Sequence, residues 1–337
     1  MRHARPPSPG ADDAARLEVR PVVSVVMPVY NGAKWLAAAV ESVLAQTLSN
    51  LEVLIVDDAS TDGSVRIAEC LALRDPRVRL LRHANNRGQS AARNLAIDAA
   101  RGVWVAPVDA DDEILPDRLR LLSEAGAREH ADLIADGLFF EGARPPGAPA
   151  ELMTWRGDGR RLESLSAETL IRSGMNGGWR SLGYLKPLMR RQFLNRCNLR
   201  YEEDLRFAED FNLYVRALFQ DGRFLLFPES LYVYRQTPAS ASRTEIGRIA
   251  RHAVSSSRGL RAAIPAPVPP GLEAAFDEYE QRWSLLSWFE QVKHCVAERR
   301  FARVVALLFR LPASPRRVLR FARDRARMKR QAAHAEG

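Results

Sequence analysis

The chain has 337 residues, 46% of them hydrophobic and 27% charged, enough for one large domain with an appendage or for two small ones. That composition excludes a disordered, collagen-like or disulfide-stapled chain. The net charge of +9 is concentrated: Arg299 to Arg330 holds 12 Arg or Lys against one acid, Asp324, while the body before it is close to neutral. This points to an attachment device rather than a nucleic-acid-binding core, and no nucleic-acid partner is expected.

Met1 to Arg20 mixes Pro, Ala, Arg and Asp around no apolar core, so it reads as a disordered lead-in (1–20) and not as a secretory signal. Val22 to Val29 is a β-branched run followed by the Asn31-Gly32 turn, the pattern of a buried strand feeding a loop. Lys34 to Gln46 carries Leu36, Val40, Val43 and Leu44 at helical spacing. Leu51 to Val56 is a second strand, ending in Asp57-Asp58, and Ser64 to Arg74 is a helix. Val78 to Leu81 is a short strand, Ser90 to Arg101 an Ala-rich helix, and Val103 to Val108 a strand ending in Asp109-Ala110-Asp111-Asp112. A helix starts at Leu115-Pro116-Asp117, with Pro in its first turn. Leu133 to Leu138 reads as a strand, 141–165 as irregular, Ala208 to Phe219 as a helix, and Arg223 to Phe227 and Leu231 to Tyr234 as strands. Beyond Thr244 the chain is helical, interrupted by a Pro-rich linker at 265–270. Continuous apolar strands alternating with helices imply an α/β fold, a mostly parallel sheet covered on both faces.

In such a sheet the ligand crevice lies outside the carboxyl ends of the strands, where two acidic clusters stand. Asp57-Asp58 is also accounted for by solvated turn acids. Three carboxylates within Asp109 to Asp112 better suit a hard cation, Mg²⁺ or Mn²⁺, held by one or two carboxylates and substrate phosphates. Asp112 reads as a solvated neighbour or a helix start. No GxGxxG, P-loop, HExxH or GxSxG motif is present, and none of the six His residues lies in these clusters. Carboxylate and metal chemistry on a phosphorylated ligand remains. The three cysteines, Cys70, Cys197 and Cys295, form no CxxC pair and read as buried small hydrophobes of a reducing compartment.

Five stretches occur in order: Val25-Val26-Met27-Pro28-Val29-Tyr30-Asn31, Val56-Asp57-Asp58-Ala59-Ser60-Thr61-Asp62-Gly63, Asn86 to Asn94, Val108-Asp109-Ala110-Asp111-Asp112 and Ala208-Glu209-Asp210-Phe211. Together they resemble glycosyltransferase family 2, inverting enzymes of the Rossmann-like GT-A fold that use nucleotide-sugar donors. Gly183 to Pro187 and Tyr201 to Asp210 are most similar to bacterial exopolysaccharide transferases of the succinoglycan type. The resemblance implies a GT-A catalytic domain at 21–243, with a donor half (21–112) and an acceptor half (113–243), and a helical basic extension at 244–337. It implies that Pro28 and Tyr30 border the nucleobase, that Asp58 accepts from a pyrimidine N–H, and that Arg93 lies against the nucleotide. Asp111 binds the metal directly and Asp109 contacts the ribose or the metal's surroundings. Asp210 is the base that inversion requires, with Glu209 in support. Arg235, before Thr237, Ser240 and Ser242, contacts the diphosphate; many members carry a His where Thr237 stands. Trp179 and Asp136 are acceptor-side candidates. A UDP-sugar donor and a saccharide or lipid-linked acceptor are the expected partners.

Two other classes stay open on the residues. A metal-dependent nucleotidyltransferase also uses acidic ligands, although Pro28-Val29-Tyr30-Asn31 occupies the place of its usual Gly-rich loop. A non-enzymatic membrane-binding module would treat the acidic clusters as turns. Phe301, Val304, Val305 and Leu308 form one helical face among arginines, which suits an interfacial helix on an anionic membrane. The run Val304 to Phe309 is too short to span a bilayer, so a cytoplasmic protein held peripherally at the inner membrane face is expected.

Overall fold

A computed structural model describes residues 20–141, 161–174, 181–205, 207–235, 246–264 and 267–309, with 318 and 323. Strand β1 (Val23–Val29) is buried except at Pro28, and β2 (Leu51–Asp57) is buried throughout. They pair in parallel from Val23↔Leu51 to Val29↔Asp57. Strands covered on both faces need apolar side chains at consecutive positions, which is why both are plain in the sequence. Strand β3 (Val78–Arg82) joins β2, and β4 (Trp104–Pro107) joins β1, both in parallel. Helices α1 (Leu36–Leu44), α2 (Ser64–Arg74) and α3 (Gln89–Ala99) follow β1, β2 and β3.

Beyond β4 the sheet becomes mixed. In chain order come β5 (Glu113–Ile114), α4 (Arg118–Arg128), β6 (Leu133–Glu141), β7 (Glu163–Ser164), α5 (Ala167–Ser173), β8 (Leu188–Arg190), α6 (Arg191–Arg196), α7 (Glu209–Phe219) and β9 (Phe224–Arg235). The strand order is β3-β2-β1-β4-β8-β6-β9-β5, with β7 on β9, nine strands among the described residues. Strand β8 runs antiparallel to both β4 and β6, whereas β6 and β9 are parallel. The parallel sheet expected from sequence therefore covers β3 to β4. The two strands expected at 223–227 and 231–234 are one, β9. Its Pro228 and Glu229 fall at a register shift against Ala135 and Gly137, where the ladder requires no donor from Pro.

Three helices close the described chain: α8 (Ile246–Ala262), α9 (Pro270–Ala297) and α10 (Phe301–Leu308). Helices α8 and α9 pack on one another, on α7 and on α5. Ala253, Leu260, Phe276 and Tyr279 belong to the same hydrophobic core as the sheet. Helix α10 rests on α9 and buries none of its own residues. Among the described residues no helix is long and apolar enough to cross a membrane. Cys70 is exposed and Cys197 half-buried; Cys295 alone meets the expectation of burial. The lead-in before Arg20, most of 141–165, Trp179, Thr237, Ser240, Ser242 and most of Arg316 to Arg330 lie outside the described residues.

Candidate active site

The loops at the carboxyl ends of β1 and β2 are tied together. Asn31 sits in the left-handed region (φ 53°) that Asn tolerates, and its Oδ1 accepts from Thr61 N at 2.8 Å. Gly32 N donates to Ser64 Oγ at 2.9 Å, and Ala33 N to Asp62 Oδ2 at 3.1 Å. Asp58 organises the next loop: it accepts from Arg87 N (2.9 Å) and Gly88 N (2.7 Å) and lies 2.7 Å from His83 Nδ1. A carboxylate offers about four lone-pair sites, and these contacts take three of them. Gly88, at φ 90°, makes the turn into α3 that a side chain would strain.

That turn aims Arg93 of α3 across the sheet end into a buried ionic cluster. Arg93 is 1% exposed. Its guanidinium meets Asp109 Oδ1 at 2.6 Å and Glu209 Oε1 at 3.0 Å. Lys186, also buried, bridges Asp109 Oδ2 at 2.9 Å and Asp210 Oδ2 at 2.8 Å. Gln89 Nε2 donates to Glu209 Oε1 at 2.6 Å. Burial opposes ionisation of Asp109, but Lys186 and Arg93 outweigh it and hold this carboxyl well below its usual range. Burial pushes Glu209 up, and the Asp210 charge adds to this; Arg93 and Lys186 offset it only in part. Asp210 Oδ1 is buried and has no hydrogen-bond partner. Both acids start α7, entered through Ala208 in the left-handed region at φ 60°. For a residue other than Gly this costs about 1–2 kcal/mol.

These groups line one cavity of about 830 Å³. Pro28, Tyr30, Asp58, Arg93, Asp109, Asp111, Glu209 and Asp210 all reach it. Two expected site residues do not. Asp136 is fully buried in an ion pair with Arg118 at 2.8 Å and also accepts from Leu231 N, which ties β6, α4 and β9 together. Arg235 braces the acidic loop, donating to Asp111 O and Glu113 and lying over the Trp35 ring at 4.8 Å. Asp112 is not solvated: its oxygens accept from Tyr232 Oη (2.6 Å) and Arg235 N (2.8 Å). Burial and then the charges of Asp109 and Asp111 push it well above the usual carboxylate range. Lys186, Gln89 and His83 are site residues that sequence reasoning missed. The only signal was their place within or beside the Gly183 to Pro187 and Asn86 to Asn94 stretches.

Residues 24–176 match the domain of Glycosyl transferase family 2. The chain is 37% identical over 224 residues to succinoglycan biosynthesis protein ExoO of Rhizobium meliloti, covering 66% of this chain and 63% of that protein. It thus spans a little under two thirds of that relative. Its fold is similar to that of S. aureus TarS 1-349 in complex with UDP-GlcNAc (TM-score 0.59, 18% identity, 81% of this chain and 72% of that one). It is also similar to mannosyltransferase PcManGT from Pyrobaculum calidifontis in complex with GDP-Man and Mn²⁺ (TM-score 0.57, 19% identity, 94% and 87%). At such identities the likeness is one of fold, and that fold is GT-A. The strand-end carboxylates Asp58, Asp109 and Asp111 reach one cavity, and residues 24–176, which carry them, match the domain of glycosyltransferase family 2.

Proposed function

We propose that the protein is an inverting glycosyltransferase that moves a hexose from a nucleotide-sugar, foremost a UDP-sugar, to a saccharide acceptor carried on a lipid, in bacterial exopolysaccharide synthesis. The observation that carries this reading is Asp210 Oδ1, which makes no hydrogen bond and has only the Arg93 guanidinium 3.9 Å away, in the same cavity as Asp109 and Asp111. Pro28 and Tyr30 border the nucleobase, and the remaining lone pair of Asp58 takes its ring N–H. Arg93 neutralises the diphosphate side. An acceptor hydroxyl attacks the anomeric carbon, the bond from that carbon to the diphosphate oxygen breaks, and the hydroxyl proton passes to Asp210 Oδ1. Lys186, on the other oxygen, fixes the carboxylate in that orientation. Residues 21–112 are the donor half, 113–243 the acceptor half, and 244–337 the extension.

The residues fit a divalent cation, Mg²⁺ or Mn²⁺. Both Asp109 oxygens are engaged by Arg93 and Lys186, so Asp111 is the direct ligand and Asp109 supports it. Among the described residues no three His, Cys, Asp or Glu form a protein-only cage; Mg²⁺ commonly takes one or two carboxylates and completes its coordination with phosphates and water. When bound, the cation supplies charge that offsets the departing diphosphate. The test is a panel of nucleotide-sugars and NTPs with Mg²⁺ or Mn²⁺, products read by NMR. Glycoside with inverted anomeric configuration is expected; retained configuration, or pyrophosphate released from NTPs, overturns the reading.

We also propose that α10 and the basic segment after it rest on the anionic cytoplasmic face of the membrane. Phe301 (64% exposed), Val305, Leu308 and Phe309 (87%) are open to solvent beside the exposed Arg299, Arg300 and Arg303. An apolar stripe flanked by arginines is the signature of an interfacial helix.

A further inference from the structure

Helix α9 lies outside residues 24–176, yet it forms part of the cavity wall through Tyr279 and Trp283, with Ile249 and Ala253 of α8 beside them. Positions 279 and 283 are one helical turn apart and share a face. Tyr279 is 2% exposed, and its ring lies parallel to that of Phe211, centroids 5.2 Å apart and planes at 2°. Phe211 is the residue after Asp210 in α7. The Trp283 ring continues the series, 6.0 Å from Tyr279 and tilted by 52°. Gly174 leaves the room this requires, since a Cβ there would approach Tyr279 Cε2 to 2.7 Å. A rigid row of rings on two helices therefore runs from Asp210 to Trp283. Phe211 and Tyr279 are buried, whereas Trp283 is half-buried. Its Nε1–H is screened from water and directed toward the Tyr279 hydroxyl, without a close hydrogen bond to it.

The two ends of the cavity differ in chemistry. One end is ionic, with Arg93, Asp109, Asp111 and Lys186, and suits phosphate and metal. The α8–α9 end presents Ile249, Ala253, Tyr279 and Trp283, none of them charged. A pyranose ring matches such a wall, because its C–H face lies on an aromatic ring while its hydroxyls accept from an indole N–H. An alkyl chain would cover the ring but offer no hydroxyls to the indole N–H and the Tyr279 hydroxyl beside it, which is costly.

We propose that Trp283, braced by Tyr279 and Phe211, is the acceptor-side sugar subsite, holding the terminal pyranose of the acceptor so that its hydroxyl faces Asp210. The proposal rests on the glycosyl-transfer reading and adds to it the residue that selects the acceptor. Because α9 lies beyond the family domain, acceptor choice can change there without disturbing the donor half.

The probes are n-octyl β-D-glucopyranoside and n-octyl β-D-galactopyranoside below their micellar concentrations, with n-octanol as the sugar-free arm. Each is titrated by isothermal calorimetry, without donor, into the full-length protein and into Trp283→Leu and Trp283→Tyr, with tryptophan emission followed in parallel. UDP affinity and Tm are measured on every variant. At least one glycoside is expected to bind and octanol is not. Trp283→Leu should weaken the glycoside about tenfold, the worth of one well-placed ring, and Trp283→Tyr should restore most of it, with UDP affinity unmoved and the fold retained. Unchanged glycoside affinity in Trp283→Leu, octanol binding as tightly as the glycosides, or no glycoside binding overturns the proposal. If Trp283→Leu does not fold, Trp283→Phe decides: the emission change must disappear there, and its persistence overturns the assignment. Failure of UDP to bind contradicts the transfer reading and leaves the glycoside arms standing.

Discussion

Asp210 and Glu209 are adjacent carboxylates with different work. Glu209 is hydrogen-bonded by Arg93 and Gln89, whereas Asp210 has one oxygen on Lys186 and the other without a hydrogen bond, 3.9 Å from Arg93. Lys186 is the residue on which this difference turns. Substituting Lys186→Met leaves Asp109 and Asp210 buried with Arg93 as the remaining cation beside them. Removing one partner of a buried pair costs about 3–5 kcal/mol, which calorimetry should register as a lowered Tm. Lys186 is also one of the two cations that hold the Asp109 carboxyl low, so its removal raises that pKa and the acid limb of the pH–rate profile should move to higher pH. A profile that stays in place with Tm preserved would remove Lys186 from the account. The acids of this site were legible because they end apolar strands in short clusters. Lys186 and His83 were not, because nothing in Gly183 to Pro187 signals that an ammonium reaches residues 24 and 77 positions away. The contact is created by the packing of α7 against that loop and by the pairing of β8, which follows it, with β4.

At the scale of elements, two buried acids hold the sheet together away from the chemistry. Asp136 pairs with Arg118, both fully buried, and Arg118 also donates to Lys186 O. Replacing Asp136→Ala strands a buried guanidinium, and a loss of about 3–5 kcal/mol by urea titration is expected. Because Arg118 positions the Lys186 backbone, transfer should fall with it. At the other end of the strands, Glu52 accepts from Ser24, Arg101 N and Arg79. Burial raises its pKa, but these hydrogen bonds outweigh it and hold the carboxyl below its ordinary value of 4.5. A folded pKa that is depressed contributes stability above the unfolded value and loses it as pH falls through the folded one. The Tm gap between the native chain and Glu52→Gln should therefore be widest near pH 7 and shrink below about pH 4.5. A gap independent of pH would assign the effect to packing. Elements buried on both faces announced themselves in sequence. Strands β5 and β7, two residues each, and the three-residue β8 carried no period to read, so the mixed half of the sheet stayed hidden.

For the molecule as a whole, α8 and α9 share the core of the sheet, while α10 leaves Phe301, Val305 and Leu308 exposed. The sequence showed the apolar and basic pattern of the tail, but not that α9 turns back to line the cavity, because that depends on the stacking of Tyr279 on Phe211. Each basic side chain near an anionic bilayer contributes about 1 kcal/mol. Reversing Arg299, Arg300 and Arg303 to Glu should weaken co-sedimentation with phosphatidylglycerol vesicles at least a hundredfold, by roughly that sum. Binding should fall with salt and be weak to phosphatidylcholine. Equal binding by the native and reversed chains would show that α10 does not meet the membrane. The most direct test of the central claim compares the native chain with Asp210→Asn, measuring UDP release from a UDP-hexose at saturating donor and saccharide acceptor with Mn²⁺. Loss of the proton acceptor should lower turnover by about 10²–10⁴-fold with donor affinity unchanged; native turnover in Asp210→Asn, or lost donor affinity with turnover kept, would contradict it.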